Sequence, residues 1–212
     1  MMTRSRTFRS LTLSAAMVLG LALPVLAGPP LLCFPFDIGT ARSLPWQGGA
    51  GWRNMQPGYD TARLADDTLA LLTPETPVLV RMETLRRATA YATLDARAGR
   101  TLLERLDARM NAAGPDRHAR ALALFDAGYL VEAFRQARPV SVTTADVVGA
   151  RRGYPLVAES LALTGDDPAM AFAAALMTDG GSASPTQRAH AQRARSGVTR
   201  DAMLARNISH LN

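Results

Sequence analysis

From Tyr59 onward, apolar side chains recur at intervals of three and four residues, and no stretch of six or more alternates apolar with polar. A period near 3.6 belongs to helices and a period of two to half-buried strands, so the expectation is an all-α fold. Turn residues cut the pattern into pieces suited to antiparallel helical hairpins, either a tetratricopeptide-like array or an irregular bundle. Residues 59–72 place Leu64, Ala65, Leu69 and Leu72 on one stripe, closed by Thr73-Pro74. Thr76-Pro77 then reads as a capping hydroxyl followed by a proline in the first turn. In the helix it opens, Val78, Met82, Leu85, Thr89 and Ala92 face inward. Glu83, Arg86, Arg87 and Ala90 make the opposite face, with Glu83 and Arg87 spaced for an i,i+4 ion pair.

A third helix over 95–112 turns Leu102, Leu103, Leu106 and Met110 inward and stops at Gly114-Pro115. Asp116 caps the longest candidate, residues 117–137. Its Leu122, Leu124, Phe125, Tyr129, Leu130, Val131 and Phe134 go most of the way round, which predicts the central and most buried helix. Ala127-Gly128 suits a close helix crossing. Beyond a polar linker over 140–144, helices are expected at 145–163, interrupted near Gly153 and Pro155, and at 167–177. The Gly/Ser-rich run over 179–185 reads as a flexible connection. The stretch 186–212 reads as a helix-prone tail, and with few large apolar residues before Met203, Leu204 and Ile208 it is expected to be the least firmly held.

Ahead of the helices, residues 28–58 are too rich in Pro and Gly for a long helix, yet carry Trp46 and Trp52. Such rings are costly to leave wet, so this arm is expected to dock on the helices at 59–72 and 77–93. Trp46, after Leu44-Pro45, is expected as the buried anchor, and Trp52, among glycines, as the ring left for a partner. Residues 1–27 carry Arg4, Arg6 and Arg9, then 17 residues without a charge, then Val25-Leu26-Ala27. That is the pattern of a secretory leader, with an uncleaved anchor as the alternative. The divisions are therefore a leader over 1–27, the arm over 28–58, a helical domain over 59–178 and the linker with its basic tail over 179–212. The leader predicts a periplasmic or secreted protein, with no transmembrane helix once it is removed.

The formal charge of +6 resides at the two ends. Residues 1–27 hold three arginines and no acid; 28–184 hold 16 arginines against 17 acids; 185–212 hold five arginines against one aspartate. The near-neutral body lacks the basic stripe that a nucleic-acid binder needs. Cys33 is the single cysteine. It reads as a buried apolar thiol, as the link of a disulfide-bonded dimer, or as a nucleophile or ligand.

No nucleophile elbow, zinc signature, Walker loop or paired-cysteine motif is present, so no catalytic residue, metal or cofactor is nominated. Gly48-Gly49-Ala50-Gly51 reads as a turn. Asn207-Ile208-Ser209 fits the glycosylation triplet. Glu83, Asp126, Glu132 and Glu159 stand beside apolar residues in helices, with Arg81, Arg86, Arg87 and Arg135 in similar positions, which points to structural ion pairs. The residues nominated for binding are Trp46, Trp52, Tyr59, Arg86, Asp126 and Tyr129. Two functional readings remain: an interaction or adaptor module for a protein or peptide, and a cell-envelope hydrolase or lyase using Asp126 or Glu83. Carboxylates held in ion pairs favour the first; an unpaired acid in a concave pocket favours the second.

The strings GPPLLC..FDIG.A.SLPW, D.LALL.PETPVLVRMETLRRA and LFDAGYLVEAFRQA, spread over most of residues 28–177, resemble a group of secreted bacterial proteins. That resemblance implies secretion and a helical fold, and it carries no activity.

Overall fold

The computed structural model describes residues 30–49, 51–137, 146–165, 167–178 and 184–211. The leader, the linker over 140–144 and most of the connection over 179–185 lie outside them. The fold is all-α. A 3₁₀ turn, Thr61–Arg63, leads into α1 (Leu64–Leu71), followed by α2 (Val78–Ala92), α3 (Ala96–Ala112) and α4 (Arg117–Gln136). Then come α5 (Tyr154–Thr164), α6 (Pro168–Met177), α7 (Pro185–Gly197), α8 (Ala202–Asn207) and a last 3₁₀ turn, Ile208–Leu211. Among the described residues the single extended pairing is an isolated bridge between Trp46 and Met55.

Local chemistry sets most helix starts. The Asp95 carboxylate accepts from the amides of Arg97 and Ala98, Asp116 from His118 and Ala119, and Asp167 from Ala169 and Met170. Each satisfies amide groups that a helix leaves without partners. Thr76 departs from its expected role. Its hydroxyl donates to the Leu71 carbonyl at 2.7 Å and accepts from the Thr73 amide at 3.1 Å, so it closes the α1–α2 turn, and Pro77 occupies the cap position of α2.

Helix α4 packs on α2, α3, α5 and α6, and every residue from Ala121 to Phe134 is buried. It is the central element, but α2 and α6 are more completely covered. Thirteen of the fifteen residues of α2 and nine of the ten of α6 are buried, against fourteen of twenty in α4, whose first turn stands in solvent. The expected ranking changes because the arm lies over the charged face of α2, burying Glu83, Arg86 and Ala90 together with the apolar face. Five apolar side chains of the arm enter the core: Leu31, Leu32, Phe36, Ile38 and Leu44.

The crossing of α4 and α5 depends on two glycines. A Cβ at Gly128 would lie 2.8 Å from the Gly153 carbonyl oxygen, and one at Gly153 would overlap the Gly128 carbonyl oxygen. The tail is held by the same device. Helix α7 packs on α6, burying Ala191, Ala194 and Gly197, and a Cβ on Gly197 would overlap Pro168. Small residues permit close backbone approach where large ones are absent, and dispersion contacts follow from that approach. Asn207 closes the fold. Its Oδ1 accepts from the Asp37 amide at 2.8 Å, and its Nδ2 donates to the carbonyls of Asp37 at 2.9 Å and Met203 at 2.8 Å. Fully buried and with its amide nitrogen engaged, this residue is no glycan acceptor in the folded protein.

Gly153→Ala and Gly128→Ala should each lower the unfolding free energy by about 1–3 kcal/mol, the usual cost of forcing a methyl into a packed interface. Urea unfolding that leaves both variants at wild-type stability would contradict the crossing.

Candidate functional site

The nominated acids fall into place first. Glu83 is fully buried and accepts four donors: Arg86 Nε at 2.7 Å and Nη2 at 2.8 Å, Arg87 Nε at 2.7 Å and the Phe36 amide at 3.0 Å. Both arginines then reach past it to the arm, Arg86 to the Leu32 carbonyl at 3.2 Å and Arg87 to the Leu44 carbonyl at 2.6 Å. The arm has neither ladder nor helix of its own, so its backbone groups find partners in α2 side chains. Glu132 pairs with Arg135 at 3.1 Å, and the exposed Glu159 with Arg120 at 2.8 Å.

Asp126, buried on α4, pairs with Arg81 Nη1 through Oδ2 at 2.6 Å. Arg81 also donates to the carbonyls of Thr76 and Thr73, tying the α1–α2 turn to the central helix. Burial pushes the Asp126 carboxyl up to about 6, with Arg81 pulling the other way, and Oδ1 has no hydrogen-bond partner among the described residues. Tyr129 is equally buried, and its hydroxyl has no partner among the described residues. Burial, then the Glu83 charge, push that phenol well above its ordinary value, opposed by Arg86. Arg86, Asp126 and Tyr129 thus leave the list of surfaces a partner can touch: they are interior groups.

Two nominated residues, Trp46 and Tyr59, do meet, around a residue that was not nominated. Tyr91, 1 % exposed near the end of α2, stands at the centre. The Tyr59 ring lies 4.3 Å from it and the Trp46 ring 6.4 Å away, edge-on. The Tyr91 hydroxyl donates to the Pro45 carbonyl at 2.7 Å and accepts from the Gln56 amide at 2.9 Å, pinning the arm on both sides of its loop. Arg86 and Arg87 place their guanidinium carbons 4.7 Å and 5.7 Å from the centre of the Trp46 ring. Trp46 is therefore held by stacking and remains half-buried; the deep anchor is its neighbour Leu44, at 1 % exposure. Tyr59, also half-buried, donates its hydroxyl to Asp67 at 3.0 Å.

Between Trp46 and Met55 the chain makes a finger. The Gln47 amide donates to the Asn54 carbonyl at 2.9 Å, and the Asn54 side chain donates back to the Gly48 carbonyl at 2.6 Å. Gly48 and Gly49 hold φ of 85° and 82°, values that L side chains avoid. Trp52 rides on this finger, half-buried under the Arg53 guanidinium at 4.6 Å. The sequence reading missed Tyr91, whose hydroxyl four residues beyond Arg87 on the arm-facing side was the available signal. It also missed Leu94, 67 % exposed just past the same helix end.

Among the described residues no group of three or more His, Cys, Asp or Glu side chains is placed to hold a metal, and no helix is long and apolar enough to cross a membrane. No protein-family model, curated protein or solved structure matches the chain.

The raised Asp126 carboxyl makes stability depend on pH with a definite sign. Between its ordinary value of 3.8 and about 6, the folded chain binds a proton that the unfolded chain releases. Its contribution is therefore complete below the ordinary value and is lost as pH rises through the folded one. A two-unit difference is worth about 3 kcal/mol. Measured against Asp126→Asn, wild type should lose about that much unfolding free energy from roughly pH 4 to pH 7; a constant difference across this range would refute it.

Proposed function

We propose that the protein is an exported helical interaction module whose partner surface is the aromatic end of α2 and the finger beside it. The leader pattern of residues 1–27 supports export. The observation that carries the rest is the contrast between acids and aromatics: Glu83, Asp126, Glu132 and Glu159 are all held by arginines, whereas Trp46, Trp52 and Tyr59 keep part of their rings at the surface. A Glu83 carboxylate saturated by four donors is an anchor for the arm rather than a proton donor to a substrate. Partly buried tryptophans with a solvent edge, on a braced scaffold, are the kind of residue that concentrates binding energy in interfaces. A protein or peptide partner fits this surface.

The hydrolase reading keeps one supporting observation, the raised Asp126 carboxyl with a free oxygen. Against it, Asp126 is 1 % exposed and closed off from solvent on the central helix. A dimer linked through Cys33 gains no support either: burial pushes that half-buried thiol up, with Arg86 opposing, and so reduces the thiolate available for exchange.

The two tryptophans separate brace from contact. Trp46→Ala should cost about 2 kcal/mol, roughly half the core value for a ring only half-buried. Trp52→Ala should cost under ~0.5 kcal/mol, as surface changes do, and should reduce capture of partner from an envelope extract at least tenfold. Retained capture by Trp52→Ala would remove the finger from the interface.

A further inference from the structure

A groove of about 510 Å³ opens where the first 3₁₀ turn and α1 face the start of α3. Its size falls in the range of ligand pockets, about 300–1,000 Å³. Ala65 and Ala98, both nearly buried, make its floor; Thr61 and Ala62 line it from the 3₁₀ turn, and Arg97 and Thr101 from α3. The Thr61 hydroxyl clasps the two sides by donating to Asp95 Oδ2 at 2.9 Å. The groove adjoins the aromatic end of α2. Tyr59 stands two residues before Thr61, and Leu94, 67 % exposed, directly precedes Asp95.

The polar groups of this groove differ in what they have left to offer. Asp95 Oδ1 accepts from the Arg97 amide at 2.9 Å and the Ala98 amide at 3.2 Å, so both oxygens of this carboxylate are taken. Asp60, just before Thr61, accepts from the Ala62 amide at 3.0 Å. The exposed Arg97 guanidinium, by contrast, makes no hydrogen bond or ion pair among the described residues, and its charge acts on Asp95 only through space. Its planar fork of donors matches a carboxylate. An apolar floor beside an uncommitted guanidinium is complemented by an apolar side chain with a carboxylate next to it. A cationic segment would meet Arg97 as like charge, and a purely apolar one would leave it unused.

We propose that this groove takes an extended acidic peptide segment of the partner, one apolar side chain lying on Ala65 and Ala98 and a neighbouring carboxylate pairing with Arg97. The proposal rests on the reading of the protein as an interaction module and adds the chemistry of what is recognised. Arg97 supplies choice more than affinity, because an exposed ion pair contributes under ~1 kcal/mol; the apolar contact holds the segment.

Fluorescence anisotropy with three dye-labelled peptides tests this on the purified full chain: leucine alternating with glutamate, leucine with lysine, and serine with glutamate. The leucine–glutamate peptide should bind at least tenfold more tightly than either of the others, and more weakly as salt rises. Arg97→Gln should weaken it about threefold, and Arg97→Glu should invert the preference between glutamate and lysine. Thr101→Trp, an exposed change that fills the groove, should reduce binding at least tenfold. Arg200→Glu, the same charge change on the turn after α7, should alter nothing, and circular dichroism should report equal helix content in all variants. Equal binding of the three peptides, or of none, would overturn the proposal, as would full binding by Thr101→Trp or an equal loss in Arg200→Glu. Trp52 does not line the groove, so Trp52→Ala should keep the peptide while losing capture from the envelope extract. Peptide failure with capture still dependent on Trp52 overturns the groove alone; peptide binding with capture indifferent to Trp52 overturns the finger alone.

Discussion

One buried carboxylate, Glu83, organises the first half of the protein. Four donors converge on it, and the two arginines among them extend to carbonyl oxygens of the arm. The interaction is demanding: a buried charge of this kind is stable only while its partners are all present, and removal of one leaves the rest uncompensated at a cost of about 3–5 kcal/mol. That sensitivity accounts for the composition of the arm. A segment broken by prolines cannot satisfy its own backbone, so it must borrow donors and acceptors, and α2 supplies them at fixed helical intervals.

The second half is held by small residues. Half of helix α6 is alanine, Gly197 lets α7 settle against Pro168, and Gly128 and Gly153 let α4 and α5 meet backbone to backbone. The two halves are joined at the chain ends. Asn207 hydrogen-bonds both sides of the Asp37 backbone, and His210 stacks on Phe36 at 5.3 Å while facing Phe172 edge-on at 6.3 Å. Start and finish of the described chain thus share one packed seam.

These arrangements also divide the polar residues by role. Interior arginines Arg81 and Arg86 connect segments distant in sequence; Arg188, Arg195 and Arg200 are displayed outward. Interior aromatics Tyr91 and Tyr129 lie under the arm and in the central helix, while Trp46, Trp52 and Tyr59 keep a solvent edge. Residue type alone distinguishes neither arginine from arginine nor tyrosine from tyrosine.

The sequence by itself determined the helical class, the aspartate cap at Asp116, the Glu83–Arg87 pair and the close crossing at Gly128. All of these depend on neighbours within a few positions, or on one face of a single helix. Tertiary structure alone decided that the charged face of α2 is interior, that Leu44 rather than Trp46 is the deep anchor, that Tyr91 joins the aromatic cluster, and that the tail is fixed to the arm. The physical reason is the same in each case. Periodicity records where a helix is apolar, but a charged or small side chain is buried or exposed according to a partner many residues away: Glu83 bonds Phe36 across 47 positions, and Asn207 bonds Asp37 across 170.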